Sequence, residues 1–330
     1  AAIVAASQAG KGILAQADFD RYATRELKPV ECDYRGYHVV SAPPPSSGGV
    51  VVCEVLNVLE GYPLKEMGFR SAQAVHVQIE ALRHAYLDRN SYLGDPDFVK
   101  NPLDRLLSKD YAGKIRAAID PAKAGISSQI KPGVPPHEGS NTTHYSVVDS
   151  RGNAVSNTYT LNFPYGVGLV AEGTGILLNN ELDDFTAAVG AANAFGLVGF
   201  EANLPGPGKR PLSSMSPTIV LKDGKPVLVT GTPGGSRIIS AVTQVIVNSI
   251  DYRMDIAAAV AAPRIHHQWL PDHVRAESGF APDVLAELRA MGHDVLDNLG
   301  QTSTNSIAVG PGGPLGAPDP RTRGAWAAGH

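Results

Sequence analysis

The sequence is short of several things, and each shortage excludes a class of protein. Only two of its 330 residues are cysteine, Cys32 and Cys53. They show no CxxC spacing, so a cysteine-bound zinc is not indicated, and both are expected to be free and structural. No run of 18 or more apolar residues is available to span a bilayer. Ala1 to Gly10 lacks the charged start and apolar middle of a signal peptide. Neither sign of charge is in excess: the formal net charge is -4 and the lysines and arginines are scattered, which gives no electrostatic case for nucleic acid or an anionic membrane. No repeat of fixed period occurs, and neither a GxSxG elbow nor an HExxH motif.

What the chain does have is a sharp change of texture near its middle. At 330 residues it is long enough for one large domain or two ordinary ones with a substantial core. Ala1-Ala2-Ile3-Val4-Ala5-Ala6 reads as a helix already under way, with Gly10 and Gly12 as its stop. Gly49 to Glu60 aligns Val52, Leu56 and Leu59. Ser71 caps a longer helix whose Val75, Ile79, Leu82 and Tyr86 share one face. Between Asn101 and Gly139 the pattern loosens, and Pro132, Pro135 and Pro136 with two glycines form a connector.

After the connector the pattern is β. His144 to Val148 and Asn153 to Leu161 flank a turn at 149–152, and Ser216 to Leu221 and Val227 to Thr230 flank Lys222-Asp223-Gly224-Lys225, so two hairpins are predicted. Gly234-Gly235 then opens a helix over Ser236 to Tyr252 with Ile239, Val242, Ile246 and Ile250 in one stripe. Pro282 to Met291 gives another helix, ended by Gly292, and Ile307 to Val309 a short strand. Grouped strands flanked by helices suggest an α+β fold of packed layers.

The β half opens on Asn141-Thr142-Thr143-His144. In mid-chain a threonine is a poor nucleophile, and a Thr pair at a strand start is ordinary β-propensity. Were the bond before Thr142 to break, its hydroxyl would gain a free α-amine on the same residue as general base, with an ordinary pKa of about 8. The loop would then be a processing site.

Several long motifs point the same way. The run from Thr142 to Asp184, then Pro211-Leu212-Ser213-Ser214-Met215-Ser216-Pro217-Thr218, then Gly231-Thr232-Pro233-Gly234-Gly235-Ser236-Arg237, resembles the γ-glutamyltransferase (γ-glutamyltranspeptidase) family of N-terminal-nucleophile hydrolases. So do Asp33-Tyr34-Arg35-Gly36-Tyr37, Pro43-Pro44-Pro45-Ser46-Ser47-Gly48-Gly49, Leu93-Gly94-Asp95-Pro96-Asp97-Phe98 and His266-His267-Gln268-Trp269-Leu270-Pro271. The resemblance implies a four-layer αββα sandwich, here without its beginning. It divides the chain into the end of a large subunit, residues 1–141, and a whole small subunit, residues 142–330, the two forming a heterodimer after cleavage between Asn141 and Thr142. It also implies export to the periplasm or beyond, and neither cofactor nor metal.

The same resemblance assigns roles. Thr142 matches the nucleophile and Thr160 the residue whose hydroxyl bonds to it. Gly234 and Gly235 match the oxyanion hole, where two backbone N–H groups at a helix start meet developing negative charge. A phosphate loop is the competing reading of those glycines, but the Gly-Lys-Ser/Thr ending of a P-loop is missing. Glu181 and Asp184, with Asn162, match the residues that hold a substrate ammonium, although three acids in a loop are more often a solvated turn. Ser213 and Ser214 match the α-carboxylate site. The family completes that site with an arginine from earlier in its large chain, and no residue here corresponds to it.

Phe195 stands in the presumed lid, 186–205, where bacterial members often carry a tyrosine. It can cover the pocket but cannot donate a hydrogen bond to Asn162. The SxxK match at Ser128 to Lys131 lacks its companion motifs. His266 and His267 face opposite ways on a strand and are expected to be structural, while His144 is placed to pack near the site. The expected activity is γ-glutamyl transfer and glutathione hydrolysis on small γ-glutamyl donors, with amino acids or peptides as acceptors. A glutaryl-type cephalosporin acylase of the same family is the alternative, and an inactive, unprocessed fragment the second.

Overall fold

The computed structural model describes residues 1–130, 142–297, 300 and 302–329. The connector prolines and Asn141 therefore lie outside the described residues. Helix α1, Ala2–Ala9, is followed by the antiparallel strands β1, Val30–Tyr34, and β2, Tyr37–Ser41. Helix α2, Gly48–Leu59, and helix α3, Ala72–Tyr92, come next. The hairpin of β3, Thr143–Val148, and β4, Ala154–Tyr159, precedes a second hairpin of β5, Thr218–Lys222, and β6, Lys225–Thr230. Helices α4, Arg237–Ile250, and α5, Pro282–Ala290, and the strands β7, Ser306–Gly310, and β8, Gly313–Ala317, complete the frame.

The main sheet is antiparallel throughout in the order β1-β2-β5-β6-β7-β8. Neighbouring strands are close in sequence except where β2 meets β5, across 176 residues from Ser41 to Pro217, and where β6 meets β7, across 76 residues from Thr230 to Ser306. The helix layer on one side is built on α2, every residue of which is buried. Its run of valines has apolar side chains all round, which suits a helix packed among neighbours on every side rather than one with a solvent face. Gly48 and Gly49 permit that approach: a β-carbon on either would meet the Met215 carbonyl or the Ala42 carbonyl at 2.3 and 2.4 Å. Helix α4 lays Ile239, Val242 and Ile246, all fully buried, into the same core.

The β3–β4 hairpin lies against the sheet and is sewn to it by polar bonds. The Ser156 hydroxyl accepts from Thr218 N at 3.0 Å and donates to Thr230 O at 2.9 Å. Asn305 accepts from the Ser146 hydroxyl and donates to the His144 carbonyl. Helices, a six-stranded sheet and this second β layer stack in the manner of the N-terminal-nucleophile hydrolase sandwich.

Most local expectations hold. The Ser71 hydroxyl accepts from Ala74 N at 3.1 Å and caps α3. The β5–β6 turn is shorter than expected, because Lys222 and Lys225 pair with each other and only Asp223 and Gly224 lie between the strands. Both have positive φ, 52° and 75°, the conformation of a type I′ turn, whose twist matches that of the strands it joins.

The expectation of free thiols is wrong. Cys32 on β1 and Cys53 on α2 form a disulfide, with Cα atoms 5.8 Å apart and a sequence separation of 21. The chain turns back after β2 so that α2 crosses β1, a tertiary contact that spacing alone does not reveal. Closing a loop of this size removes denatured-state freedom worth about 3 kcal/mol. Replacing both cysteines by serine is expected to lower stability by about 2–4 kcal/mol. Thermal melts of parent and variant, each with and without reductant, check this: only the parent should respond to reductant.

Candidate active site

The β3–β4 hairpin places a hydroxyl pair at its open end. Thr142, one residue before β3, donates its Oγ1 proton to Thr160 Oγ1 at 3.2 Å. Thr160 Oγ1 also accepts from Asn162 N at 2.7 Å, so its orientation is fixed from the far side. Asn162 itself has φ of 71°, a left-handed conformation that asparagine tolerates better than most residues. Its amide donates to the Asn180 carbonyl at 3.1 Å.

A narrow cleft joins Thr142, Thr160 and Asn162 to Asp184, Phe195, Ser213, Ser214 and Gly235. These residues come from six separated stretches of the chain. Gly234 and Gly235 adopt φ of 132° and 58° immediately before α4. A side chain would not fit at either, since a β-carbon on Gly235 would lie 2.3 Å from Cδ1 of Phe195 and one on Gly234 2.6 Å from Cβ of Thr302. Bare backbone at a helix start, facing a cleft, offers N–H groups to a developing negative charge.

Glu181 and Asp184 occupy a single 3-10 turn. Burial pushes Glu181 up to about 7. Asp184 is also pushed up to about 7, by burial and then by the neighbouring Glu181 charge, against the pull of Arg89. Glu181 Oε1 is buried and has no hydrogen-bond partner among the described residues. Two carboxylates crowded on one half-buried turn, one with an oxygen lacking a donor among the described residues, form a site that a cation would stabilise.

Arg89 is the residue that motif reading missed. It is buried on α3, donates Nε to Ser47 Oγ at 2.8 Å and Nη2 to Ser214 Oγ at 3.0 Å, and reaches the Leu212 carbonyl and Asn90 Oδ1. Burial lowers its pKa to about 10, which still leaves it charged at neutral pH. It stands beside Ser214 as a cation within the chain and, with Asp184, lines an adjoining pocket. One signal was available. Arg89 is three residues beyond Tyr86, so it continues the inward stripe of α3, and a charge on a buried stripe needs a partner.

Phe195 is 6% exposed. Its ring packs edge-on to Phe163, with centroids 6.1 Å apart. Its carbonyl accepts from Gln268 Nε2 at 3.0 Å, and Gln268 Oε1 in turn takes the Ser236 hydroxyl at 2.6 Å. The loop that carries Phe195 is thereby tied to the helix start beside it. The histidines occupy separate networks: His266 bonds Ser240 and Gln268, whereas His267 bonds Asp272 and Trp269 N. His144 packs against Thr158 and Ser146, beneath Gly231. Burial lowers it to about 4, so the ring is neutral. Asn141 lies outside the described residues.

A strand-opening threonine between layered sheets, beside the bare start of a helix, defines an N-terminal-nucleophile hydrolase. A cephalosporin acylase from Bacillus halodurans superposes with a TM-score of 0.83 at 28% identity, over 100% of this chain and 58% of that one. The family follows from sequence: residues 1–329 match the Gamma-glutamyltranspeptidase model, and the chain belongs to that family. A glutathione hydrolase proenzyme of Pseudomonas sp. (strain A14) is 60% identical over 99% of this chain and 59% of its own length. A gamma-glutamyltranspeptidase from Pseudomonas nitroreducens complexed with L-DON is 49% identical, with a TM-score of 0.54, over 57% of this chain and 100% of that chain. The chain thus spans a little over half the length of the curated relative it matches.

The acids generate a pH test. With both pKa values raised to about 7, the pair is charged above that pH and loses charge below it, so affinity for an ammonium ligand is present above about pH 7 and falls as pH drops. Calorimetric titration with free L-glutamate should show at least tenfold weaker binding at pH 5.5 than at pH 8, and Asp184→Asn should flatten that dependence. A parent with the same affinity at both values refutes the assignment.

Proposed function

We propose that this chain carries the nucleophile-bearing part of an autoprocessing γ-glutamyltransferase and glutathione hydrolase. Residues 1–141 are the end of its large subunit and residues 142–330 its small one. The 57% of this chain matched by the whole Pseudomonas nitroreducens chain is the share that 142–330 makes up. The observation that carries the reading is the Thr142–Thr160 hydroxyl pair in a cleft that also holds Asp184, Ser213 and Ser214.

The chemistry follows from the groups present. Cleavage of the Asn141–Thr142 bond gives Thr142 an α-amine, which takes the proton of its own hydroxyl as Oγ1 attacks the γ-carbonyl of the donor. Thr160 orients that hydroxyl. The carbonyl oxygen gains negative charge and is met by the N–H groups of Gly234 and Gly235. Collapse of the tetrahedral species breaks the C–N bond, and the leaving amine receives the proton held by the Thr142 amine. The remaining γ-glutamyl ester is opened by water, giving glutamate, or by an amine, giving a new γ-glutamyl amide. Asn162, Glu181 and Asp184 hold the donor's ammonium, while Ser213 and Ser214 hold its carboxylate. Arg89 orients Ser214 and adds positive potential behind it.

The cephalosporin acylase reading shares the fold and the nucleophile, but a glutaryl group has no α-amine. Its binding gains nothing from an unpartnered Glu181 beside Asp184. Small γ-glutamyl amides as donors, and amino acids or peptides as acceptors, are therefore the proposed partners. Location in the periplasm or outside the cell is supported by the Cys32–Cys53 disulfide, since such bonds persist in oxidising compartments.

Two measurements test the proposal. Denaturing mass analysis of the intact gene product should find two polypeptides meeting between Asn141 and Thr142, and Thr142→Ala should leave one uncleaved chain without activity. Hydrolysis of a γ-glutamyl anilide should exceed that of the glutaryl anilide by at least about thirtyfold, the worth of one well-placed charge-assisted contact of about 2 kcal/mol. An uncleaved but active parent excludes the mechanism. Equal rates on the two anilides favour the acylase. In the same protein Phe195→Tyr, which supplies a hydroxyl at the lid, is expected to raise kcat/KM severalfold; an unchanged value removes the idea of a looser gate.

A further inference from the structure

A second cluster of donor groups lies where α3 meets the turn that follows α5. His76 and Glu80 are four residues apart on α3 and so share a face. His293, from beyond α5, brings its Nε2 to 2.8 Å from Nδ1 of His76. One nitrogen of each ring and a carboxylate oxygen of Glu80 all lie within 4.8 Å of one another. All three side chains are at least 96% buried.

The surroundings set the ring orientations. His76 Nε2 is 2.8 Å from the Asp120 carbonyl. A carbonyl only accepts, so that nitrogen carries the proton, and Nδ1 presents its lone pair to the cluster. Metal-binding histidines are typically fixed this way, by a backbone carbonyl on the other ring nitrogen. A simple hydrogen bond between the rings accounts for the 2.8 Å contact. That bond does not involve Glu80, and His293 Nδ1 has no partner among the described residues with or without an ion. Glu80 Oε1 is engaged by Arg83 Nε at 3.3 Å and Gly125 N at 3.2 Å, which leaves Oε2 as the oxygen on offer.

We propose that His76 Nδ1, His293 Nε2 and Glu80 Oε2 form a site for a divalent first-row transition ion, zinc above all, with water as a further ligand. Two imidazoles and a carboxylate are a donor set suited to that ion. A metal–nitrogen bond of about 2.0–2.1 Å puts two ligating nitrogens about 2.9 Å apart at a right angle and about 3.3 Å apart in a tetrahedron. The rings need therefore to part by no more than about half an ångström. Access is short, because Asp120, whose carbonyl meets His76, and the residues from it to Lys123 are exposed, as are Gly292 and Asp294 on either side of His293. His76 and Glu80 precede position 142 and His293 follows it, so the ion clips together the two parts of the chain. This site is independent of the γ-glutamyl reading and stands or falls without it.

The test uses the full chain, free of any affinity tag, stripped with a chelator and titrated with zinc chloride. One equivalent should bind with micromolar or tighter affinity and remain after dialysis, and excess zinc at about 100 times Kd should raise Tm by several degrees. Glu80→Gln and His293→Ala should each weaken binding at least tenfold, while His38→Ala, at a half-exposed histidine elsewhere, should leave it unchanged. If His293→Ala does not fold, His293→Gln takes its place. Absence of stoichiometric zinc overturns the proposal, and so does binding that survives both substitutions.

Discussion

The site depends on how one hairpin is held against one sheet. Ser156 on β4 inserts its hydroxyl between Thr218 N and Thr230 O, groups of two residues that face each other across β5 and β6. Both main-chain groups are thereby satisfied where a second β layer would otherwise bury them. Because β3 pairs with β4 in strict register, His144 opposite Thr158, a hairpin fixed at Ser156 is fixed along its length. The hydroxyl of Thr142 then has little choice of position. A slip of one residue would turn every side chain of β4 to the other face and carry Thr160 away from its partner.

Electrostatics adds a second constraint. Asp184 stands at one end of the cleft, with Glu181 on the same turn, and a buried guanidinium stands behind its serines, so the cleft has two poles of opposite charge. Neither end is stable by itself. Burial raises both acids and lowers Arg89, so burial opposes the charge of each pole. Strain of this kind is common where binding energy is directed to orientation rather than to affinity.

Much of this was legible in the sequence, and the failures have physical causes. Helix faces and hairpins could be read because periodicity reports burial directly, as for Val75, Ile79 and Tyr86 or for the Asp223-Gly224 turn. The cleft residues could be gathered only through the resemblance, since nothing local says that Thr142, Asp184 and Ser213 meet. Cys32–Cys53 escaped because a disulfide is a fact of tertiary geometry, and 21 residues of separation are compatible with bonded or free thiols alike. Arg89 escaped because it belongs to no motif, although its place on an apolar stripe marked it as a charge in need of company. His76 and Glu80 share that helix and drew no notice, as their third partner lies 217 residues away.

The strand order has a final consequence. Both cysteines precede position 142, so in a chain cleaved there their bridge would fasten one polypeptide to itself and contribute nothing to the cohesion of two. After scission, β2 and β5 would belong to different molecules yet remain neighbours in the middle of one sheet, bonded from His38–Leu221 to Ser41–Thr218. Pulling the halves apart would lay bare two unpaired strand edges and the valine-rich helix packed over them. For such a pair, dissociating and unfolding are the same event, and resistance to heat becomes a function of protein concentration.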